Sequence, residues 1–164
     1  MAKLITAVMW RSLDHAGAEY FDLWEVKGGW LLRGRGTRVH RQSPLGFDYD
    51  IFCDRGWETR RVDVNVRMRS KERSLQLKIG PKKRWLADGE EQVNLRGCHD
   101  VDLLWTPAMN MLPIRRLSLK IGQSREVVSA WVRFPELSTR PLRQKYTRLG
   151  KTRYRYESAT GFVT

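Results

Sequence analysis

Along most of this chain polar and apolar residues alternate as they do on half-buried strands, and that rule is suspended once, between positions 97 and 137. The segment Gly97-Cys98-His99-Asp100-Val101-Asp102-Leu103-Leu104-Trp105 still alternates, then stops at Thr106-Pro107. A hydroxyl residue before proline reads as a helix N-cap followed by the first helical position, where proline's missing N–H costs nothing. The sequence therefore predicts a short helix over 107–112. Pro113 pushes Leu112 away from helical dihedrals, which predicts a break there and an extended path over 114–121. A strand, one short helix and another strand make this stretch the hinge of the fold.

Elsewhere the period is two. Val62, Val64, Val66 and Met68 alternate with Arg61, Asp63, Asn65, Arg67 and Arg69, and the pattern returns at Leu75, Leu77, Ile79 and at Tyr154 and Tyr156. Further strands are predicted over 4–10, 19–26, 29–33, 46–53, 101–105, 117–121 and 126–134. Turn signals separate them, among them Gly28-Gly29, Gly34-Arg35-Gly36, Ser43-Pro44, Asp54-Arg55-Gly56, Gly80-Pro81 and Asp88-Gly89. Turns at intervals of about 10 residues, with a single helix, describe an antiparallel meander that curls or closes. The strands over 4–10 and 126–134 are apolar on both faces, so each needs cover on both sides, and a helix held inside a wrapped sheet supplies it. The expected class is mainly β, a many-stranded antiparallel sheet wrapped around a single short helix.

A chain of 164 residues most often forms one domain and buries roughly 70% of its unfolded surface. No apolar run approaches the roughly 18 residues of a membrane span, and the N-terminal ten residues read as a first strand, so a cytoplasmic protein is expected. In a reducing compartment Cys53 and Cys98 are expected as separate buried thiols. Lys and Arg number 31 against 18 acidic residues, a net charge of +13 and a pI near 10.3. Such an excess suits a nucleic-acid or anionic-surface binder. The cations are dispersed over many strands among Asp and Glu, however, with no helix-turn-helix, zinc or aromatic RNA-binding motif, so specific nucleic-acid recognition ranks second.

Few residues offer chemistry. Asp100 and Asp102 share one face of a strand, about 6.6 to 6.8 Å apart along it, near the spacing of glycosidase carboxylates. A pair of carboxylates meeting arginines from adjacent strands is the simpler reading, and a glycoside- or lipid-processing enzyme ranks last. Cys98 and His99 point to opposite faces and make no nucleophile–base pair. No spacing of His, Cys and carboxylates suggests a metal, and Gly34-Arg35-Gly36 lacks the third glycine of a dinucleotide loop, so no cofactor is expected. Trp131 and Arg133 share a face, and an indole beside a guanidinium offers a sugar or amphiphile head group a flat apolar plane and a donor fork. Trp105 lies at the same helix end. Of Arg115 and Arg116, the inward one needs a partner: Asp100, Asp102 or an anionic ligand.

Gly97-Cys98, Asp100-Val101-Asp102, Thr106-Pro107, Asn110, Leu112-Pro113-Ile114-Arg115-Arg116-Leu117 and Trp131-Val132-Arg133-Phe134-Pro135 together resemble the putative glycolipid-binding family, formerly a domain of unknown function. The likeness extends to Trp10-Arg11, to Cys53-Asp54 with Trp57 and Thr59-Arg60-Arg61, and to 144–149 with 154–157. It implies a spiral β-roll, similar to periplasmic lipoprotein carriers, that binds a lipid or glycolipid without covalent chemistry. The expected ligand-binding residues are Trp105, Arg115, Arg116, Trp131 and Arg133, from their placement around a hydrophobic cavity at one end of the helix, with Asn110 from the resemblance. Ala108, Met109 and Met111 make this helix more apolar than the family pattern. The chain ends at Gly161-Phe162-Val163-Thr164, where the family pattern runs on through another strand or hairpin, which predicts an exposed edge.

Overall fold

The computed structural model describes residues 1–13, 15–103 and 106–164. Eight strands pair in chain order as an antiparallel meander: β1 (Lys3–Arg11), β2 (Gly17–Val26), β3 (Gly29–His40), β4 (Ser43–Asp54), β5 (Thr59–Met68), β6 (Lys71–Ile79), β7 (Trp85–Ala87) and β8 (Glu90–Glu91). A second sheet holds β9 (Asp100–Asp102), β10 (Ser124–Arg133), β11 (Ser138–Arg148) and β12 (Tyr154–Ser158) in the spatial order β12-β11-β10-β9. Here β9 runs parallel to β10, with Asp100 opposite Ser129 and Asp102 opposite Trp131. Parallel neighbours cannot be joined by a hairpin and need a crossover of a dozen or more residues. The helical stretch is that crossover: a 3-10 turn at Pro107–Asn110 leads into α1 (Met111–Leu117).

Alternation on β4 and β5 puts Leu45, Phe47, Tyr49 and Ile51 with Val62, Val64 and Val66 on one buried face. They join Val101, Ala130 and Val132 of the second sheet and Ala108, Met109 and Leu112 of the helix in one continuous core. Each fully buried aliphatic side chain contributes about 1.5–3 kcal/mol, so enclosing the helix face is what holds the two sheets together. The chain is mainly β, wrapped around one short helix, and open rather than closed into a barrel, since β1 and β8 end the larger sheet.

Four expectations are corrected. The helix does not stop at Pro113, which is the third residue of α1. The first N–H groups of a helix have no intrahelical acceptor, so a proline there removes no bond. The strand expected over 117–121 is absent: α1 continues to Leu117, and Ser118 closes it in the left-handed region, its N–H 3.3 Å from the Ile114 carbonyl.

Gly34 and Gly36 form no turn but lie inside β3. A Cβ on Gly36 would stand 2.5 Å from the Ala18 carbonyl oxygen and 2.6 Å from Phe47 Cζ, and one on Gly34 would fall within the Tyr49 ring. Here glycine makes room for the cross-strand aromatic. The chain turns instead at Arg41 and Gln42, both at positive φ (44° and 62°), as a two-residue hairpin requires.

β1 was expected to be covered on both faces, yet it is the sheet edge and largely exposed. Its partly buried residue, Trp10, packs on Phe21 with ring centroids 5.1 Å apart. β10 is the strand buried on both sides, with Val127 and Ser129 on one face and Ala130 and Val132 on the other.

Cys53 and Cys98 are free and buried. Burial, reinforced by the Asp100 charge, pushes the thiols up to about 12 and about 11, respectively. Both are expected to react with a thiol reagent at pH 8 only as fast as the protein opens, and rapid labelling of folded protein in stopped flow would contradict this. Among the described residues no helix is long and apolar enough to cross a membrane, and no cluster of three His, Cys or carboxylate side chains is placed to hold a metal.

Candidate functional site

The sheet β9–β12 presents one face to the helix. Strand parity brings Asp102, Ser129, Trp131, Leu142, Gln144, Tyr146 and Tyr156 onto that face, because 129 and 131 on β10 pair with 142 and 140 on β11, and Tyr146 pairs with Tyr156 on β12. Between this face, the Thr106–Asn110 end of the helix and the C-terminal residues lies an open cleft of about 380 Å3. Trp131, Leu142, Met109 and Phe162 give it apolar walls, and Asp102, Asn110, Tyr156 and Ser158 give it polar ones.

A connected set of hydrogen bonds holds the polar wall. Gln144 is buried, its Oε1 accepting from Ser129 Oγ at 2.8 Å while its Nε2 donates to Asp102 Oδ2 and to the Tyr156 hydroxyl, the latter at 3.1 Å. The Tyr146 hydroxyl donates to Asn110 Oδ1 at 2.8 Å, tying the helix to β11. Burial, with the Asp102 charge nearby, pushes the Tyr156 phenol up to about 12 and raises Tyr146 as well, so both stay protonated near neutral pH. The cleft thus offers one carboxylate, one amide and one neutral phenol around an indole. That set can exchange hydrogen bonds with hydroxyls, and among the described residues that line it Asp102 is the one acidic side chain.

Asn110 and Trp131, both expected as ligand-binding residues, line this cleft together. Arg133 stands 5.4 Å over the Trp131 ring. Arg115 stands 5.7 Å over Trp57, which stacks on Trp30 at 4.8 Å and 14°. Arg116 donates through Nε and Nη2 to Asp100, at 3.0 and 2.5 Å, so the partner needed by an inward arginine is Asp100. Trp105 lies outside the described residues. Asp100 is fully buried and held by that guanidinium, whereas Asp102 lines the cleft. His99 meets Lys83 and not Cys98.

Sequence reading missed Gln144, Tyr146, Tyr156 and the C-terminal residues. A signal for the first existed: Leu142, Gln144 and Tyr146 share one period-two face, and an amide between two apolar residues marks a buried polar network. Nothing in the sequence showed that 162–164 would fold back on β12, where the Tyr156 and Thr164 backbones exchange hydrogen bonds of 2.8 and 3.0 Å.

A second, smaller cleft of about 160 Å3 lies across Pro107, lined by Trp10, Glu19 and Phe47. Glu19 is buried, accepting from the Tyr49 hydroxyl at 2.5 Å and the Thr106 hydroxyl at 2.8 Å. Burial raises its carboxyl above the ordinary range, and those two hydrogen bonds only partly offset the rise. Thr106 Oγ1 also accepts from the Ala108 N–H at 3.2 Å, which is the N-cap the sequence announced.

Residues 7–164 match the family described as "Putative glycolipid-binding". The crystal structure of a DUF1089 family protein from Pseudomonas aeruginosa is similar to this chain with a TM-score of 0.81 and 29% identity, covering 98% of this chain and 88% of that one. No curated protein matches the chain.

Proposed function

Because this chain belongs to the putative glycolipid-binding family, we propose that it binds the head group of a glycolipid in the cleft beside Trp131, without covalent chemistry. The observation that carries this reading is the mixture on one wall: an indole with Asp102, Asn110 and Tyr156 within a single cleft. Sugars present apolar C–H faces between hydroxyls, so they are held by an aromatic plane together with acceptors and donors fixed in advance. Asp102 and Asn110 Oδ1 accept, and the Tyr156 hydroxyl both donates and accepts. Met109, Leu142 and Phe162 offer the first methylenes of an acyl chain an apolar surface.

A short-chain alkyl glucoside and the alkyl phosphocholine of equal chain length, each below its micellar concentration, separate the parts when titrated against tryptophan fluorescence. The wild type is expected to prefer the glucoside. Trp131→Ala should weaken both ligands by tenfold or more, since stacking and apolar contact go together. Asp102→Asn should weaken the glucoside by about ten- to a hundredfold, the worth of a hydrogen bond to a charged acceptor, and leave the phosphocholine nearly unchanged. Arg133→Gln, outside the cleft lining, should do little to either. If the glucoside gives no saturable signal and displaces no hydrophobic dye, the reading fails.

A further inference from the structure

Several arginines on the larger sheet are neutralised where they stand. Arg33 pairs with Asp22, Arg60 with Asp54, Arg61 with Asp63 and Arg67 with Asp48, at 2.6 to 2.9 Å. At one end of the smaller sheet they are not. The segments 118–125 and 147–155 carry Lys120, Arg125, Arg148, Lys151, Arg153 and Arg155 and not a single Asp or Glu. Of these, Lys120, Arg125, Lys151 and Arg153 are exposed and make no ion pair among the described residues, so positive charge gathers here with no acid beside it.

The two segments form one rigid tip. The Gly122 N–H donates to the Arg148 carbonyl at 2.8 Å and the Arg148 N–H to the Gln123 carbonyl at 3.0 Å, which locks the turn before β10 against the loop after β11. The Arg148 guanidinium then reaches three carbonyls, those of Leu119 at 2.7 Å, Lys151 at 3.0 Å and Gly150 at 3.1 Å. Spent on backbone, it serves as the clasp, while Lys120, Arg125, Lys151 and Arg153 make no ion pair among the described residues. Ile121 and Leu149 stand at the crests of the two joined loops, 63% and 44% exposed. Exposed aliphatic side chains on two hydrogen-bonded loops that also carry unpaired cations match an interface that is anionic outside and apolar just beneath.

We propose that this tip docks the protein on an anionic lipid bilayer, with Lys120, Arg125, Lys151 and Arg153 at the phosphates and Ile121 and Leu149 inserted among the acyl carbons. A nucleic acid would use the same charge. It has no partner for the two aliphatic crests, and the aromatic at the tip, Tyr154, lies under the Arg148 guanidinium, 5.7 Å away, rather than open for base stacking. The inference does not depend on what occupies the cleft, and it is tested with vesicles free of glycolipid.

Each basic residue close to an anionic leaflet strengthens binding by about fivefold. Wild-type protein is therefore expected to co-sediment with vesicles of phosphatidylcholine containing phosphatidylserine and not with phosphatidylcholine alone. The variant K120Q/R125Q/K151Q/R153Q should lose a hundredfold or more. I121S/L149S keeps the charge and should still lose several-fold, with the remaining binding more salt-sensitive than that of the wild type. Unchanged far-UV circular dichroism and melting temperature verify that both variants are folded. Absence of binding to the anionic vesicles, or equal binding by the quadruple variant, overturns the proposal. So does an I121S/L149S variant that binds vesicles like the wild type while wild-type protein binds a 20-nucleotide single strand equally well, which would make the tip a general polyanion site.

Discussion

Replacing Asp100 with alanine is expected to destabilise the protein by about 3–5 kcal/mol, and Arg116→Ala by a similar amount. Asp100 has no exposed surface and Arg116 only 14%, and the two are joined through two donors of one guanidinium. Removing either leaves a charge without a partner where water cannot reach it. The pair also joins β9 to α1, so its loss frees the crossover helix from the sheet it spans. Urea unfolding should show a lower midpoint at unchanged slope, and the melting temperature should fall by about 2–4 °C per kcal/mol for a domain of this size. Replacing both residues together, as Asp100→Leu with Arg116→Met, should recover much of the loss, since an apolar pair owes no desolvation. Single variants that melt like the wild type would show that the pair is dispensable.

Gly34→Val is expected to cost about 3 kcal/mol or more. Gly34 lies opposite Tyr49 across β3 and β4, and the Tyr49 ring occupies the space a Cβ would need. Overpacking alone costs about 1–3 kcal/mol. The ring cannot swing aside cheaply, because its hydroxyl donates to Glu19, and moving it strips a buried carboxyl of one of its two side-chain donors. The effects on the two residues should be non-additive: Gly34→Ala combined with Tyr49→Leu should cost less than the sum of the single changes. An additive result would mean that the ring is not the obstacle. Glu19 adds a pH signature. Its folded pKa is raised, so the stability it contributes is present below the ordinary glutamate value and is lost as pH rises through the raised one. Glu19→Gln should remove that dependence from the stability profile.

Several features were legible in the chain. The alternation of Val62, Val64 and Val66 placed the core face of β5, because period two leaves no other way to segregate apolar side chains. Thr106-Pro107 marked the helix start for a local reason, a hydroxyl that can reach the Ala108 N–H two residues away. The same local reasoning failed at Gly34-Arg35-Gly36. Glycine signals either a turn or a close approach, and the choice lies with Tyr49 and Phe47 on the next strand. It failed at Pro113 because a proline's cost depends on how far into the helix it falls.

The candidate site divided along the same line. Asn110 and Trp131 were legible as residue types suited to a head group, while their meeting in one cleft depends on the parallel pairing of β9 with β10 and on the helix bonded to β11 through Tyr146. Arg115, Arg116 and Arg133 had equal claim as donor forks until the fold gave each a neighbour: Trp57, Asp100 and Trp131. By itself the sequence determined the core face of strands such as β5, where the helix begins, that the chain is strongly basic and which side chains could face a ligand. These follow from local sterics, period and composition. Only the tertiary structure decided which carboxylate is buried under an arginine, which lines the cleft, and where the unpaired cations gather, because charge pairing and enclosure depend on neighbours far apart along the chain.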